Sequence, residues 1–281
     1  MVVVDAHQHF WDPRRVSYPW LATEFPELDR PLGFEDLAPH LRLSGVDATV
    51  LVQSDDEGAD DDLMLEIASA HPEIAGVVAW APLDDPPALE AAVARLRRSS
   101  KVVGVRVLIH SRPDPDWLVL PEVQTGLGVL EREGLAFDVV ATLPRHLELV
   151  PVIAASHPDL RIVIDHLAKP PIGRDLSPWS ERVRRAAEFP NVYAKVSGLY
   201  PARGDRAPWT PEDLRPAFST ALAAFGAERL MLGSDWPICE VAGGYERVTL
   251  ALRELGADLS EGERSALQGE TAIRCYGLKL S

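Results

Sequence analysis

One feature constrains the fold more than any other: eight short, nearly continuous apolar runs, each separated from the next by enough chain for a helix. They lie at Val2–His9, Ala48–Ser54, Ile74–Leu83, Val102–Ile109, Leu135–Ala141, Arg161–Ala168, Val192–Leu199 and Leu230–Trp236. The runs do not alternate apolar with polar, as expected of strands covered on both faces. The segments between them carry helix punctuation. Asp85-Pro86 offers an N-cap before Pro at the first helical position, and Ala88, Leu89, Ala92, Val93 and Leu96 then form one apolar stripe. Thr210-Pro211 repeats the start signal, and Gly226 is placed to stop that helix. Pro121–Glu133, Pro144–Ser156, Ser177–Phe189 and Tyr245–Leu255 supply further helical segments. Eight strand–helix units with no break in composition predict a single-domain α/β protein, a (β/α)₈ TIM barrel over 1–281. A doubly wound open sheet is the alternative, but the turn after the first run lacks a G-x-G-x-x-G phosphate loop.

Catalytic groups of such barrels gather at the C-terminal ends of the strands. Here those ends carry His7 and His9, Gln53, Trp80, Arg106, Asp138, His166 and Lys169, Lys195, and Asp235 with Trp236, whereas the strand starts carry mostly aliphatics. Strand alternation predicts that Asp5, His7 and His9 share one face, so the two imidazoles converge on one cation or one substrate oxygen. His166 is placed as a third metal ligand or an electrophile; the bland alternative is a core histidine bonded to backbone. Asp235, at the end of the last strand, can ligate a metal and take a proton from water, or it is an ordinary turn residue.

Charge narrows the partners. With 28 Lys+Arg against 43 Asp+Glu, the chain carries −15, which disfavours nucleic acid and anionic membranes. Two cysteines, Cys239 and Cys275, make neither a disulfide framework nor a thiolate zinc cage. No basic stretch followed by an apolar one opens the sequence, so a cytoplasmic location is expected. A homo-oligomer is compatible with the sequence. Only four lysines occur, and Lys169 and Lys195 sit at strand ends beside Arg106. Together they would focus a positive field suited to an anionic or sugar-derived small molecule, unless each is neutralised by Asp165 or Asp138. Trp11, Trp20, Trp80, Trp117, Trp209 and Trp236 lie near the predicted rim, where a ring can stack on a sugar or simply pack a loop.

The ordered motifs carry a resemblance. Asp5-Ala-His-Gln-His9-Phe-Trp11-Asp12 and Tyr18-Pro-Trp20-Leu21 are followed by Gly104-Val-Arg106 and Pro113-Asp-Pro-Asp-Trp117-Leu118. Then come Asp165-His-Leu-Ala-Lys-Pro170, Lys195-Val-Ser-Gly198-Leu199 and Gly233-Ser-Asp-Trp-Pro237. In that order the chain resembles the amidohydrolase-2 branch of the amidohydrolase superfamily. It is most similar to the lactonase group that includes L-fuconolactonases, L-rhamnonolactonases and 2-pyrone-4,6-dicarboxylate lactonase. The resemblance implies a barrel hydrolase with His7, His9, His166 and Asp235 around the reacting centre, Asp235 as general base and Arg106 holding the substrate. Members of the group work with or without a divalent metal. Gln53, Trp80, Lys195, His146 and Trp236 complete the expected substrate contacts. Val107, the loop Ile109–Arg112 and the residues before His146-Leu147 depart from the group pattern, so no relative's substrate transfers directly.

Strand four ends without the Lys or Glu that bridges two ions in binuclear relatives, and strand five ends without histidine. At most one divalent metal is expected, zinc being favoured by imidazole and manganese also suited, and it is dispensable in some of the group. The leading expectation is hydrolytic opening of a lactone, and the runner-up is a metal-dependent decarboxylase of the same branch. A TatD-type nuclease is disfavoured by the acidic charge, and a silent scaffold by the intact polar rim.

Overall fold

A computed structural model describes residues 1–200 and 208–280. Every apolar run contains a strand: β1 (Val4–Gln8), β2 (Ala48–Val52), β3 (Ile74–Ala79), β4 (Val102–Val107), β5 (Ala136–Val139), β6 (Ile162–Ile164), β7 (Val192–Val196) and β8 (Leu230–Leu232). Neighbours in sequence pair in parallel throughout, giving the order β1 to β8 of a (β/α)₈ barrel. The helices are α1 (Pro19–Glu24), α2 (Phe34–Ser44), α3 (Gly58–Ala70), α4 (Pro86–Leu96), α5 (Pro121–Arg132), α6 (Pro144–Ser156), α7 (Ser177–Ala187), α8 (Pro211–Phe225), α9 (Tyr245–Leu255), α10 (Glu261–Ser265) and α11 (Thr271–Tyr276).

The start and stop signals act as read. Asp85 accepts the Ala88 amide at 3.1 Å ahead of α4, and the Thr210 amide donates to Asp213 at 2.7 Å ahead of α8. Gly226 closes α8 with φ +70°, a left-handed conformation glycine adopts without steric penalty.

Two packed layers result. Leu, Val and Ile on the outer strand faces pack against the helices. Smaller side chains fill the interior, among them Val4, Ala6, Val50, Val78, Val163 and Met231. The last helix, α11, sends Cys275 and Tyr276 into that same interior, with Leu278 just beyond it. Gly76, near the start of β3, lies so close to Leu278 that a Cβ there would meet its Cδ2 at 2.8 Å. α11 therefore closes the end of the barrel opposite the strand C-termini.

One expectation about β1 is corrected. Asp5 does not share a face with His7 and His9. Pairing runs Asp5 to Thr49 but Gln8 to Leu51, so an irregularity between Asp5 and Gln8 breaks the two-residue alternation. Asp5 turns toward α9, where it accepts from the Tyr245 hydroxyl at 2.9 Å, and from the Ser234 amide at 2.8 Å. The two histidines point the other way.

Between β8 and β1 there is no continuous ladder among the described residues, only the bridge Gln8–Trp236. The seam is held by His9 N–H donating to the Trp236 carbonyl at 2.7 Å and Asp235 N–H to the His7 carbonyl at 2.8 Å.

Candidate active site

The residues that hold this seam also build the site. His7 Nε2 stands 3.1 Å from His9 Nε2. Asp235 Oδ1 lies 3.7 Å from His7 Nε2, 3.5 Å from His9 Nε2 and 4.0 Å from His166 Nε2. Ligands bonded at ~2.0–2.1 Å to one tetrahedral ion stand roughly 3.3 Å apart. The ligand atoms of His7, His166 and Asp235 lie within 4.8 Å of one another and suit a single cation, with His9 Nε2 beside them. Each imidazole is also oriented from behind. His9 Nδ1 bonds the Val52 carbonyl at 2.8 Å, and His166 Nδ1 bonds Ser197 Oγ at 2.8 Å. His7 Nδ1 lies 3.3 Å from Asp165 Oδ1. At His9 and His166 a donor bond from Nδ1 leaves the Nε2 lone pair free for the site, whereas His7 Nδ1 also faces the Lys195 ammonium, which can only donate.

His166 reaches the site by an unusual backbone. β6 ends at Ile164, and His166, Leu167, Ala168 and Lys169 then take φ values of 53°, 50°, 58° and 51°. Four consecutive non-glycine residues in the left-handed region cost ~1–2 kcal/mol each. The turn is pinned by the Lys169 amide donating to the His166 carbonyl at 2.9 Å and by Trp179 Nε1 donating to the Leu167 carbonyl at 2.7 Å.

Below the histidines lies a closed charge network. Lys195 Nζ is 2.5 Å from Asp138 Oδ2 and 3.1 Å from Asp165 Oδ1, and 3.1 Å from His7 Nδ1. Arg106 pairs with Asp165 Oδ2 at 3.1 Å and donates to the Gln53 carbonyl. From the floor, the Tyr276 hydroxyl reaches both oxygens of Asp138 at 2.9 Å.

The electrostatics follow from burial and these neighbours. Burial alone would raise Asp235, but His166, the His9 hydrogen bond, Lys169 and His7 outweigh it and hold the carboxyl well below the usual range. His166 is pushed down to about 3, by burial first and Lys169 next. His7 is likewise driven well down, by burial and then Lys195. The site therefore sets an ionised carboxylate beside the neutral imidazoles of His7 and His166, a donor set suited to a divalent cation and a base suited to water.

The residues expected to contact substrate divide. Arg106 is buried with its Nε unpartnered, as is Gln53 Oε1. Trp80 is half-buried with Nε1 unpartnered, and His146 is buried at the start of α6, its Nδ1 accepting from the Leu143 amide. Two calls are corrected. Lys195 is fully buried and engaged with two carboxylates and His7, so it supports the histidines from beneath instead of meeting substrate. Trp236 is 2% exposed and packs edge-on against Phe10 at 5.6 Å, which leaves no open ring face for a sugar. Asp138 was noted only as a strand-end group and, with Asp165, as an acid that would neutralise the lysines, and Ser197 and Tyr276 were given no role in the site. Asp165 and Ser197 sit inside the motifs already quoted, whereas nothing local marks Tyr276.

Gly198 shows how tightly the site is packed. A Cβ there would stand 2.7 Å from His166 Nδ1 and 2.8 Å from Asp235 Oδ2, at φ +53°. Gly198→Ala is expected to lower stability by about 1–3 kcal/mol in urea titrations and kcat/KM by about tenfold or more. A variant with the parental rate would show that this close approach does not hold His166 and Asp235 in place.

The chain is 38% identical over 245 residues to an L-fucono-1,5-lactonase of Burkholderia ambifaria, covering 86% of this chain and 82% of that one. It is 35% identical over 286 residues to an L-fucono-1,5-lactonase of Burkholderia multivorans, covering 98% and 96%. A crystal structure of an amidohydrolase from Burkholderia multivorans with bound zinc superposes with a TM-score of 0.92 at 32% identity, covering 99% of this chain and all of that one. Residues 4–278 match the amidohydrolase family itself, and the chain belongs to that family.

Proposed function

We propose that this chain is a lactonase that opens the ring of a sugar-acid lactone. The observation that carries the reading is the convergence of His7, His9, His166 and Asp235 at the strand C-termini, in a chain 35% identical to an L-fucono-1,5-lactonase over 98% of its length.

Asp235, held ionised, takes a proton from water as the oxygen attacks the lactone carbonyl carbon. The tetrahedral adduct then collapses, the ring C–O bond breaks, and the proton taken by Asp235 passes to the departing ring oxygen. The product is the open hydroxy acid. Arg106, with its unpartnered Nε, and Gln53 lie where a substrate oxygen can be held. A divalent ion suits His7, His166 and Asp235, with His9 alongside, and when bound it would polarise the carbonyl and lower the pKa of water. We infer at most one ion, with zinc the better match to three imidazoles and one carboxylate.

The acidic chain fits a small-molecule partner better than nucleic acid. Among the described residues no helix is long and apolar enough to cross a membrane.

The direct test adds L-fucono-1,5-lactone and follows acid release above the spontaneous rate. Enzyme-dependent acid release is expected. Carbon dioxide release from a carboxylated aromatic ring, without lactone opening, would favour a decarboxylase instead. Metal analysis of purified protein is expected to give no more than about one ion per chain. Two tightly held ions would overturn the single-ion reading.

A further inference from the structure

Of the four lysines, two have their ammonium groups engaged by the fold. Lys101 donates to the carbonyls of Ala68 and His71, and Lys195 lies between Asp138 and Asp165. Lys279 is exposed next to the last described residue. Lys169 differs from all of these. It is solvent-accessible at the C-terminal rim, and among the described residues its ammonium has neither a hydrogen-bond nor an ion-pair partner. Yet its charge is felt by His166, Asp235 and His110, and it feels Arg106 and Asp165 in return.

Its backbone explains the placement. Lys169 ends the left-handed turn that begins at His166. A tight helical turn of about three residues returns positions i and i+3 to one side, so the turn presents the His166 imidazole and the Lys169 ammonium together. A strained conformation of this kind persists only where its surroundings over-determine it, and such strain clusters at functional sites. Here the anchors are the Trp179 bond to the Leu167 carbonyl, the Lys169 amide bond to the His166 carbonyl, and the Ser197 bond to His166.

We propose that Lys169 is a specificity-determining residue that donates to an oxygen substituent on the lactone skeleton, a hydroxyl or a carboxylate, beside the reacting carbonyl. The inference rests on the lactonase reading and names the substrate feature that the site selects. Among the described residues the ammonium is a point donor with no acid to satisfy it, and a substrate oxygen supplies the acceptor.

The test compares wild type with Lys169→Met and Lys169→Arg on three substrates: a polyhydroxylated aldonolactone, a lactone bearing a ring carboxylate, and δ-valerolactone, which has no substituent. The ratio of kcat/KM for the substituted lactones over δ-valerolactone is expected to fall about tenfold or more in Lys169→Met, with much of it restored in Lys169→Arg. The substituted lactone that shows the larger fall identifies the oxygen recognised. Equal falls on all three substrates, or no fall, would overturn the proposal. Activity of wild type on none of them would instead remove the lactonase reading on which it stands. Thermal unfolding of both variants checks that the exposed substitution leaves the fold intact.

Discussion

Asp235→Asn is expected to cut kcat/KM on an opened lactone by about 10²–10⁴-fold while leaving the protein folded. The amide cannot accept the proton from water, and it is a poorer ligand for a cation than a carboxylate. The fold tolerates it because position 235 sits at φ +61°, a region in which Asn is among the favoured non-glycine residues. Its backbone bond across the seam, from the 235 amide to the His7 carbonyl, does not involve the side chain. Circular dichroism and steady-state rates on one preparation make the comparison. A variant with parental kcat/KM and intact structure would show that Asp235 is not the base.

Lys195→Met should act on stability as strongly as Asp235→Asn acts on rate. The ammonium is fully buried and in contact with Asp138 and Asp165. Its loss leaves two interior carboxylates with Arg106, His7 and Tyr276 as their remaining partners. Breaking a buried ion pair from one side costs about 3–5 kcal/mol. The pH dependence gives the sign. Burial would raise Asp165, but Lys195, His7 and Arg106 hold it well below the ordinary value of 3.8. A depressed carboxyl adds stability above its unfolded pKa, and that stability is lost as pH falls through its folded pKa. Without Lys195 the folded pKa of both carboxyls moves upward. The deficit relative to wild type therefore builds up from the depressed folded pKa of Asp165 and is larger at pH 7 than at pH 4. Urea titrations across that range measure it, and a deficit independent of pH would mean that Lys195 acts through packing alone.

Much of this molecule was legible in its sequence, for physical reasons that also mark where reading stopped. Strands buried on both faces leave continuous Val, Ile and Leu runs, so all eight could be found. α3 was not among the helices expected, its first turn being the acidic Gly58-Ala-Asp-Asp-Asp. Asp60 and Asp61 are in fact buried, Asp60 bonded to the Tyr18 hydroxyl at 2.5 Å and Asp61 to the Trp80 amide at 2.7 Å. His7, His9, His166 and Asp235 stood out as polar residues ending apolar runs. The facing of Asp5 was misjudged because a strand irregularity has no signature in side-chain type. Lys195 was assigned to substrate because sequence cannot tell an ammonium that meets solvent from one enclosed by two carboxylates. Tyr276 was invisible for a simpler reason, since its partner Asp138 lies 138 positions away.

The seam between β8 and β1 gives the site a thermodynamic meaning. Seven of the eight strand junctions join consecutive strands by ladders. The eighth joins the two ends of the sheet and is sparsely bonded. His7 and His9 come from one side of it and Asp235 from the other, so whatever occupies the site spans the least-bonded joint in the barrel. Occupancy and closure then form one linked equilibrium, in which a ligand at a hundred times its Kd adds ~2.7 kcal/mol in favour of the shut ring. Conversely, any fluctuation that parts the first strand from the last dismantles the site before it disturbs the other seven junctions.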